Sequence, residues 1–238
     1  VIGYCDPSCC ASLKGPHRGY RFGTLYEIYS GASFDRKFEI AEKHCVHIEG
    51  ALTWAFTIED HPFFAGFRVL ASNGIDLPVL GTFRMFGKMS GQRLRVQSSG
   101  DAGLETLLHS GVRGAPDISA LAALDNGKLS VMVWNYHDDD VPGPIAAVDL
   151  TINGLPLESG IVKLSHYRID DTHSNAFTVW KQMGAPQQPT SEQYALLEQA
   201  GQLAQLAPPS NGTVEKGVLS LSFDLPRQAV SLLVWEWE

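Results

Sequence analysis

The spacing of apolar residues changes once along this chain. From Thr24 to His44, Leu25, Ile28, Tyr29, Ala32, Phe38, Ile40 and Ala41 recur at helical spacing with charges between them, which predicts a helix. Ile48 to Phe56 is a nearly continuous apolar run, the pattern of a strand buried on both faces. Pro78 to Met89 reads as a second helix with proline near its start, where the missing N–H costs little. Val1 to Tyr4 is short and β-prone. Strand, helix, strand, helix predicts α/β architecture with a parallel sheet over residues 1–90.

Beyond Gly91 the period becomes two. Arg93–Gln97, Lys128–Asn135, Ala147–Ile152, Ile161–Tyr167 and Val218–Phe223 alternate, and Gln228–Trp237 supplies a last strand. Gly, Pro, Asn or Asp bounds each run, so an all-β segment of antiparallel sheets packed as a sandwich is predicted over residues 91–238. One inserted helix is expected to interrupt it. Thr190-Ser-Glu-Gln193 is a capping box, and Tyr194, Leu196 and Leu197 continue the pattern into Leu203 and Leu206 before Pro208-Pro209.

Composition narrows the function classes. Apolar residues at 44% against 18% charged give a chain able to bury a core, which excludes global disorder. A net charge of −8 speaks against a nucleic-acid partner. No apolar run approaches the roughly 18 residues of a membrane span, so no membrane partner is expected. Cys5, Cys9, Cys10 and Cys45 match no common zinc spacing, even with His17 added, and read as free thiols suited to a reducing, cytoplasmic compartment. Asp138-Asp139-Asp140 reads as a solvated turn. No metal and no other cofactor is expected.

Val1 is neither an initiator Met nor the start of a leader, which suggests a piece of a longer protein. Two β–α units cannot cover a parallel sheet by themselves. The exposed strand surface therefore calls for a missing N-terminal barrel segment, a homo-oligomer or a strand-swapped dimer.

Longer motifs point further. His166-Tyr-Arg-Ile-Asp-Asp-Thr-His-Ser-Asn-Ala176 leads into Trp180-Lys-Gln-Met-Gly-Ala-Pro-Gln-Gln-Pro-Thr190 and Glu192-Gln-Tyr194. With Gly50–Phe56, Phe64–Val79 and Phe83–Met89, this pattern resembles glycoside hydrolase family 39, the bacterial β-xylosidases distantly related to α-L-iduronidase. The resemblance implies that residues 1–90 form the C-terminal part of a TIM-barrel-like catalytic domain, its last two (β/α)8 units. Residues 91–238 would be a jelly-roll-like β-sandwich accessory domain. The implied activity is retaining hydrolysis of terminal xylosyl residues of hemicellulose, with a xylosyl-containing oligosaccharide as ligand.

Such enzymes use two carboxylates about 5–5.5 Å apart. The resemblance puts the acid/base on an earlier strand outside this chain, and the nucleophile at Tyr4 within Ile2-Gly3-Tyr4-Cys5-Asp6-Pro7. A phenol with a pKa near about 10 is a poor nucleophile without a neighbouring base. No intact catalytic residue is expected, and the chain should be inactive alone. For substrate binding the resemblance implies Tyr20, in the Pro16–Arg21 loop, with Trp54, Glu59 and Asp60. A tryptophan offers a platform to the CH face of a sugar, and carboxylates accept from its hydroxyls. Trp54 also fits a purely core role, and Glu59 and Asp60 also fit loop surface or a cap before Pro62. Two positions depart from the family pattern: Thr57 stands where relatives carry a second Glu, and Phe22 replaces a polar residue.

The aromatics Trp134, Tyr136, Tyr167, Trp180, Trp235 and Trp237 read as core more than as a sugar-binding face. His166 and His173 read as hydrogen-bonding groups. The alternative to an enzyme fragment is a non-catalytic carbohydrate-binding or assembly protein.

Overall fold

The structure, a computed structural model, describes residues 15–51, 61–67 and 69–237. A 3₁₀ turn (Pro16–Arg21) leads into helix α1 (Thr24–Lys43). A short hairpin, β1 (Ala71–Ser72) and β2 (Ile75–Asp76), precedes helix α2 (Pro78–Lys88), with its proline in the first turn as expected. Then come β3 (Gln92–Leu94), α3 (Leu104–Ser110), β4 (Asp117–Asp125), β5 (Lys128–Tyr136), β6 (Ala146–Ile152) and β7 (Ser159–Ile169). The remaining elements are α4 (Ala176–Gln182), α5 (Ser191–Gly201), β8 (Ala204–Gln205), β9 (Ser210–Glu215), β10 (Leu219–Leu225) and β11 (Ala229–Glu236).

Seven strands form one sheet in the order β3-β4-β5-β11-β7-β8, with β9 also paired to β7. Strands β6 and β10 form a separate antiparallel pair, in register from Leu219↔Ile152 to Leu225↔Ala146. Strand β11 is hydrogen-bonded on both edges: Leu232 sits opposite Met132 of β5 and Tyr167 of β7. Alternation along β5 and β11 sends side chains to two different cores. On one face Leu129, Val131, Val133, Leu233 and Trp235 pack with Val148, Leu150, Ile152, Leu221 and Phe223 of the β6–β10 pair. On the other, Met132, Trp134, Leu232 and Val234 pack with Ile28 and Ala32 of α1 and Met85 of α2. Both central strands are therefore apolar almost throughout.

Several expectations need correction. Three helices, not one, interrupt the strands after residue 91. Helices α3 and α4 are only seven residues each, too short to show a period. Helix α5 keeps its capping box, Thr190 Oγ1 accepting from Gln193 N, but stops at Gly201 instead of reaching Leu206. Gly201 is pressed against the hairpin, where a Cβ would lie 2.7 Å from the Asp76 carbonyl oxygen. The chain beyond it pairs with β7, and Leu206 N donates to His166 O. Strands β4 and β9 carry too much alanine or polar sequence to show as strands. The expected strand at residues 1–4, and residues 52–56 of the one at 48–56, lie outside the described residues. The pairing described within the first ninety residues is the antiparallel β1–β2 hairpin.

Among the polar groups that hold α1 in place are the buried Arg36 and Glu27. Arg36, almost fully buried, bonds Asp117 Oδ1 at 2.8 Å, Asp101 Oδ1 at 2.9 Å and Glu39 Oε2 at 2.9 Å. Asp117 also accepts from Trp134 Nε1 at 3.0 Å and from Ala102 N at 2.9 Å, so both of its carboxylate oxygens have donors. Between α1 and α2, the fully buried Glu27 accepts from Thr82 Oγ1 at 2.8 Å, and its Oε1 has no hydrogen-bond partner among the described residues. Burial, aided by the nearby Asp170, pushes the Glu27 carboxyl well above its ordinary 4.5, and the Thr82 hydroxyl only partly opposes this.

Two predictions follow from these contacts. Arg36→Ala leaves the buried Asp117 uncompensated and should cost about 3 kcal/mol in urea unfolding; a cost within about 0.5 kcal/mol, typical of an ordinary surface site, would contradict the buried network. For Glu27, the unfolded chain ionises near 4.5 while the folded chain keeps its proton. Its contribution is thus complete below that value and is lost as pH rises through the higher folded value. Glu27→Gln, which keeps the shape and removes the charge, should gain stability over the parent progressively from about pH 4.5 upward. Parallel pH profiles of the unfolding midpoint in the two proteins would count against a protonated Glu27.

Candidate active-site rim

The described part of the expected sugar site is a turn and a loop that hold each other. The turn is Pro16–Arg21, closed by Arg18 N donating to Gly15 O at 2.9 Å and Phe22 N donating to Gly19 O at 3.0 Å. Gly15 starts it with φ of 121°, a conformation that side chains disfavour, and its N–H bonds Ala65 O at 3.2 Å. Arg21, 1% exposed, sends Nη1 to Gly66 O at 2.9 Å, and its guanidinium lies 5.7 Å from the Tyr20 ring centre. A buried guanidinium supplies several donors in a fixed fork, which suits it to pin a carbonyl at a loop corner.

Residues 61–67 are held just as firmly from the other side. Asn73 Nδ2 donates to His61 O at 2.8 Å, and Phe64 N donates to Ser72 Oγ at 2.8 Å. Gln187, from the segment between α4 and α5, reaches Phe63 O at 3.2 Å. Aromatic rings fill the space behind. Phe22 meets Phe64 edge-on at 5.6 Å, and Phe64 lies 5.3 Å from Phe177 and 4.7 Å from Trp180. The pocket bounded by Phe22, His61, Phe67 and Asn73 has a volume of about 10 Å³, far below what a sugar needs. The inner side of this rim is closed, whereas His17 on the turn is exposed and Tyr20 is half-buried.

The His166–Ala176 stretch builds structure that carries this rim. Asp170 accepts from Thr172 N at 2.7 Å, Thr172 Oγ1 at 2.9 Å, His173 N at 2.8 Å and His173 Nδ1 at 2.9 Å. Burial pushes this carboxyl up, but the Thr172 and His173 donors outweigh it and hold Asp170 below the usual carboxylate range. Ser174 Oγ bonds Arg168 O at 2.8 Å, and Asn175 Oδ1 caps α4 by accepting from Thr178 N at 3.2 Å. His166 contacts Ser231 Oγ on β11 at 2.9 Å. Burial, reinforced by the Arg168 charge, pushes His166 down to about 4, so it remains neutral at neutral pH.

Of the expected site residues, Tyr20 is on this turn, while Tyr4, Trp54, Glu59 and Asp60 lie outside the described residues, as do Thr57, Cys5, Asp6, Cys9 and Cys10. Phe22, read as a departure from a polar position, is 1% exposed and serves the aromatic packing. Trp134 and Trp235 are fully buried in the two cores, Tyr167 and Trp237 pack at their margins, and Trp180 packs in a third cluster with Phe22 and Phe64. Sequence reading missed Arg21, Phe64 and Phe177. The first two stand within motifs already singled out, but nothing in spacing says that their side chains turn inward. Among the described residues no group of His, Cys, Asp or Glu is assembled as a metal ion would require, and Cys45 is a free, exposed thiol. No described helix is long and apolar enough to cross a membrane. A roomier cleft, about 500 Å³, lies away from the rim, between β6 and β3–β5, lined by Leu94, Val96, Ala120, Val131, Leu150 and Ile152.

Comparison with known proteins gives this geometry a context. The profile described as "Glycosyl hydrolases family 39" matches residues 39–214. A "Beta-xylosidase" of Caldicellulosiruptor saccharolyticus is 22% identical over 142 residues, 60% of this chain and 26% of that protein. A bacterial orthologue of human α-L-iduronidase superimposes with a TM-score of 0.78 at 17% identity, over 99% of this chain and 41% of that one. A monomeric β-xylosidase from Caulobacter crescentus CB15 superimposes with a TM-score of 0.68 at 17% identity, over 95% and 44%. At these identities the superpositions establish the fold. The chain thus spans less than half the length of each of these relatives.

Proposed function

The chain belongs to glycosyl hydrolase family 39, and from that premise we propose that it is the C-terminal portion of a β-xylosidase-like retaining enzyme acting on terminal xylosyl residues of hemicellulose. In this reading residues 1–90 are the last two units of the (β/α)8 barrel, and residues 91–238 are its jelly-roll-like β-sandwich. The role of the portion is to shape one side of the subsite for the terminal sugar. One observation carries the reading: Arg21 and Gly15 bind the turn of Tyr20 to the loop that directly follows Glu59 and Asp60.

The chemistry follows from the residue types. Tyr20 offers a ring and a hydroxyl, Trp54 a stacking platform, and Glu59 and Asp60 ionised acceptors for vicinal hydroxyls. The sugar meets the outer side of the turn, because the inner side is closed by Phe22 and Phe67. Retaining hydrolysis also needs an acid/base and a nucleophile. In this reading the acid/base comes from a barrel strand outside the 238 residues, and the nucleophile position is Tyr4, so the portion binds without turning over.

Aryl β-xyloside hydrolysis by the purified chain, beside Tyr4→Glu, tests the catalytic half. Both proteins should be silent. Turnover by the unmodified chain would overturn the assignment of the missing carboxylates. Titration with methyl β-xyloside, followed by NMR, tests the binding half: weak, roughly millimolar affinity is expected, and Trp54→Ala should abolish it. Absence of any binding would sink the sugar-site reading and leave an assembly role.

A further inference from the structure

We infer that Phe177, on helix α4 of the strand-rich region, is the positioning residue that orders the Tyr20 turn. A methyl group built on Gly19 would lie 3.6 Å from Phe177 Cζ, and one on Gly23 would lie 3.7 Å from Cδ1. The ring therefore spans the turn from its middle to the start of α1. It is gripped in its turn by Phe22 at 5.6 Å, Phe64 at 5.3 Å and Trp180, stacked at 5.7 Å with 19° between the planes. Lys181 Nζ covers the ring 4.7 Å from its centre. Trp180 is itself tied down by Nε1 donating to Pro186 O at 2.9 Å.

The mount behind the ring is rigid. Helix α4 has only seven residues and would not hold its shape alone. It is fixed because Asn175 caps it, Ser174 bonds both Arg168 O and Ala204 N at 2.8 Å, and Asp170 gathers the donors of Thr172 and His173. These contacts hang α4 from the end of β7, inside the main sheet. A continuous path of packed groups thus runs from the sheet through α4 and Phe177 to the turn of Tyr20. A 3₁₀ turn has poor hydrogen-bond geometry and few internal bonds, so packing from outside has to hold it. The role of Tyr20 toward sugar rests on the function proposed above; the ordering of its turn does not.

The two are tested apart on the 238-residue chain. Amide hydrogen exchange at Arg18 and Phe22, whose N–H groups close the turn, reads the order directly. Phe177→Ala should speed exchange there by about tenfold or more, with Phe177→Leu intermediate and Phe177→Tyr close to the parent. Leu197→Ala, a fully buried α5 residue in the same core, controls for general loosening: it should lower the melting temperature but leave the turn as it is. Unchanged exchange in Phe177→Ala, or equal acceleration in Leu197→Ala, would overturn the inference. Methyl β-xyloside affinity, measured alongside, should weaken about tenfold in Phe177→Ala and recover in Phe177→Tyr. A turn loosened by Phe177→Ala, with no xyloside bound by the parent chain, would uphold the positioning role and defeat the proposed function instead.

Discussion

A wide sheet with two apolar faces has to be covered twice, and this requirement organises the molecule. The β6–β10 pair covers one face, and α1 with α2 covers the other. Segments far apart in sequence are thereby committed to one another, since Ile28 and Met85 share a core with Met132 and Leu232. Burial supplies the drive, but it does not fix orientation. The directional contacts do that. Arg36 ties α1 to Asp101 and Asp117, which stand before and at the start of β4, and Asp117 is satisfied in turn by Trp134 from the next strand. The position of α1 then fixes where the turn that precedes it must lie.

The elements legible in sequence were those with a long period or a strong cap. Helix α1 was visible as twenty residues of apolar spacing, and the start of α5 as a capping box. Its end was invisible because Gly201 is stopped by the hairpin carbonyl at Asp76, a tertiary contact with no local signature. Helices α3 and α4 were too short, and β4 was hidden by its alanines, whose small side chains suit the packed interior but carry little strand preference. At the rim, the turn of Tyr20 was singled out in the sequence as part of an expected sugar site. The buried Arg21 and the ring of Phe177 were not, because their importance comes from where neighbouring loops meet.

A conserved architecture need not carry a conserved reaction, because chemistry belongs to particular groups at particular distances. Among the described carboxyl groups, Glu27 is pushed well above its ordinary range by burial and Asp170 is held below it by its donors. Both are consumed by structure: one lies sealed between helices, the other closes the turn that launches α4. Perturbed acidity here is a product of burial and donor count, without a cleft in front of it. This is the distinction that separates a structural carboxyl from a working acid or base.

The order of strands has a consequence for how the protein is made. Strand β11 lies between β5 and β7, yet it follows both in the chain. As the polypeptide leaves the ribosome, β5 and β7 emerge with one edge each unfilled and wait for the residues that join them. During that interval the nascent chain presents two unpaired strand edges to its surroundings. Arrival of β11 is thus the step that completes the sheet, and any delay in it lengthens the time those edges stay open.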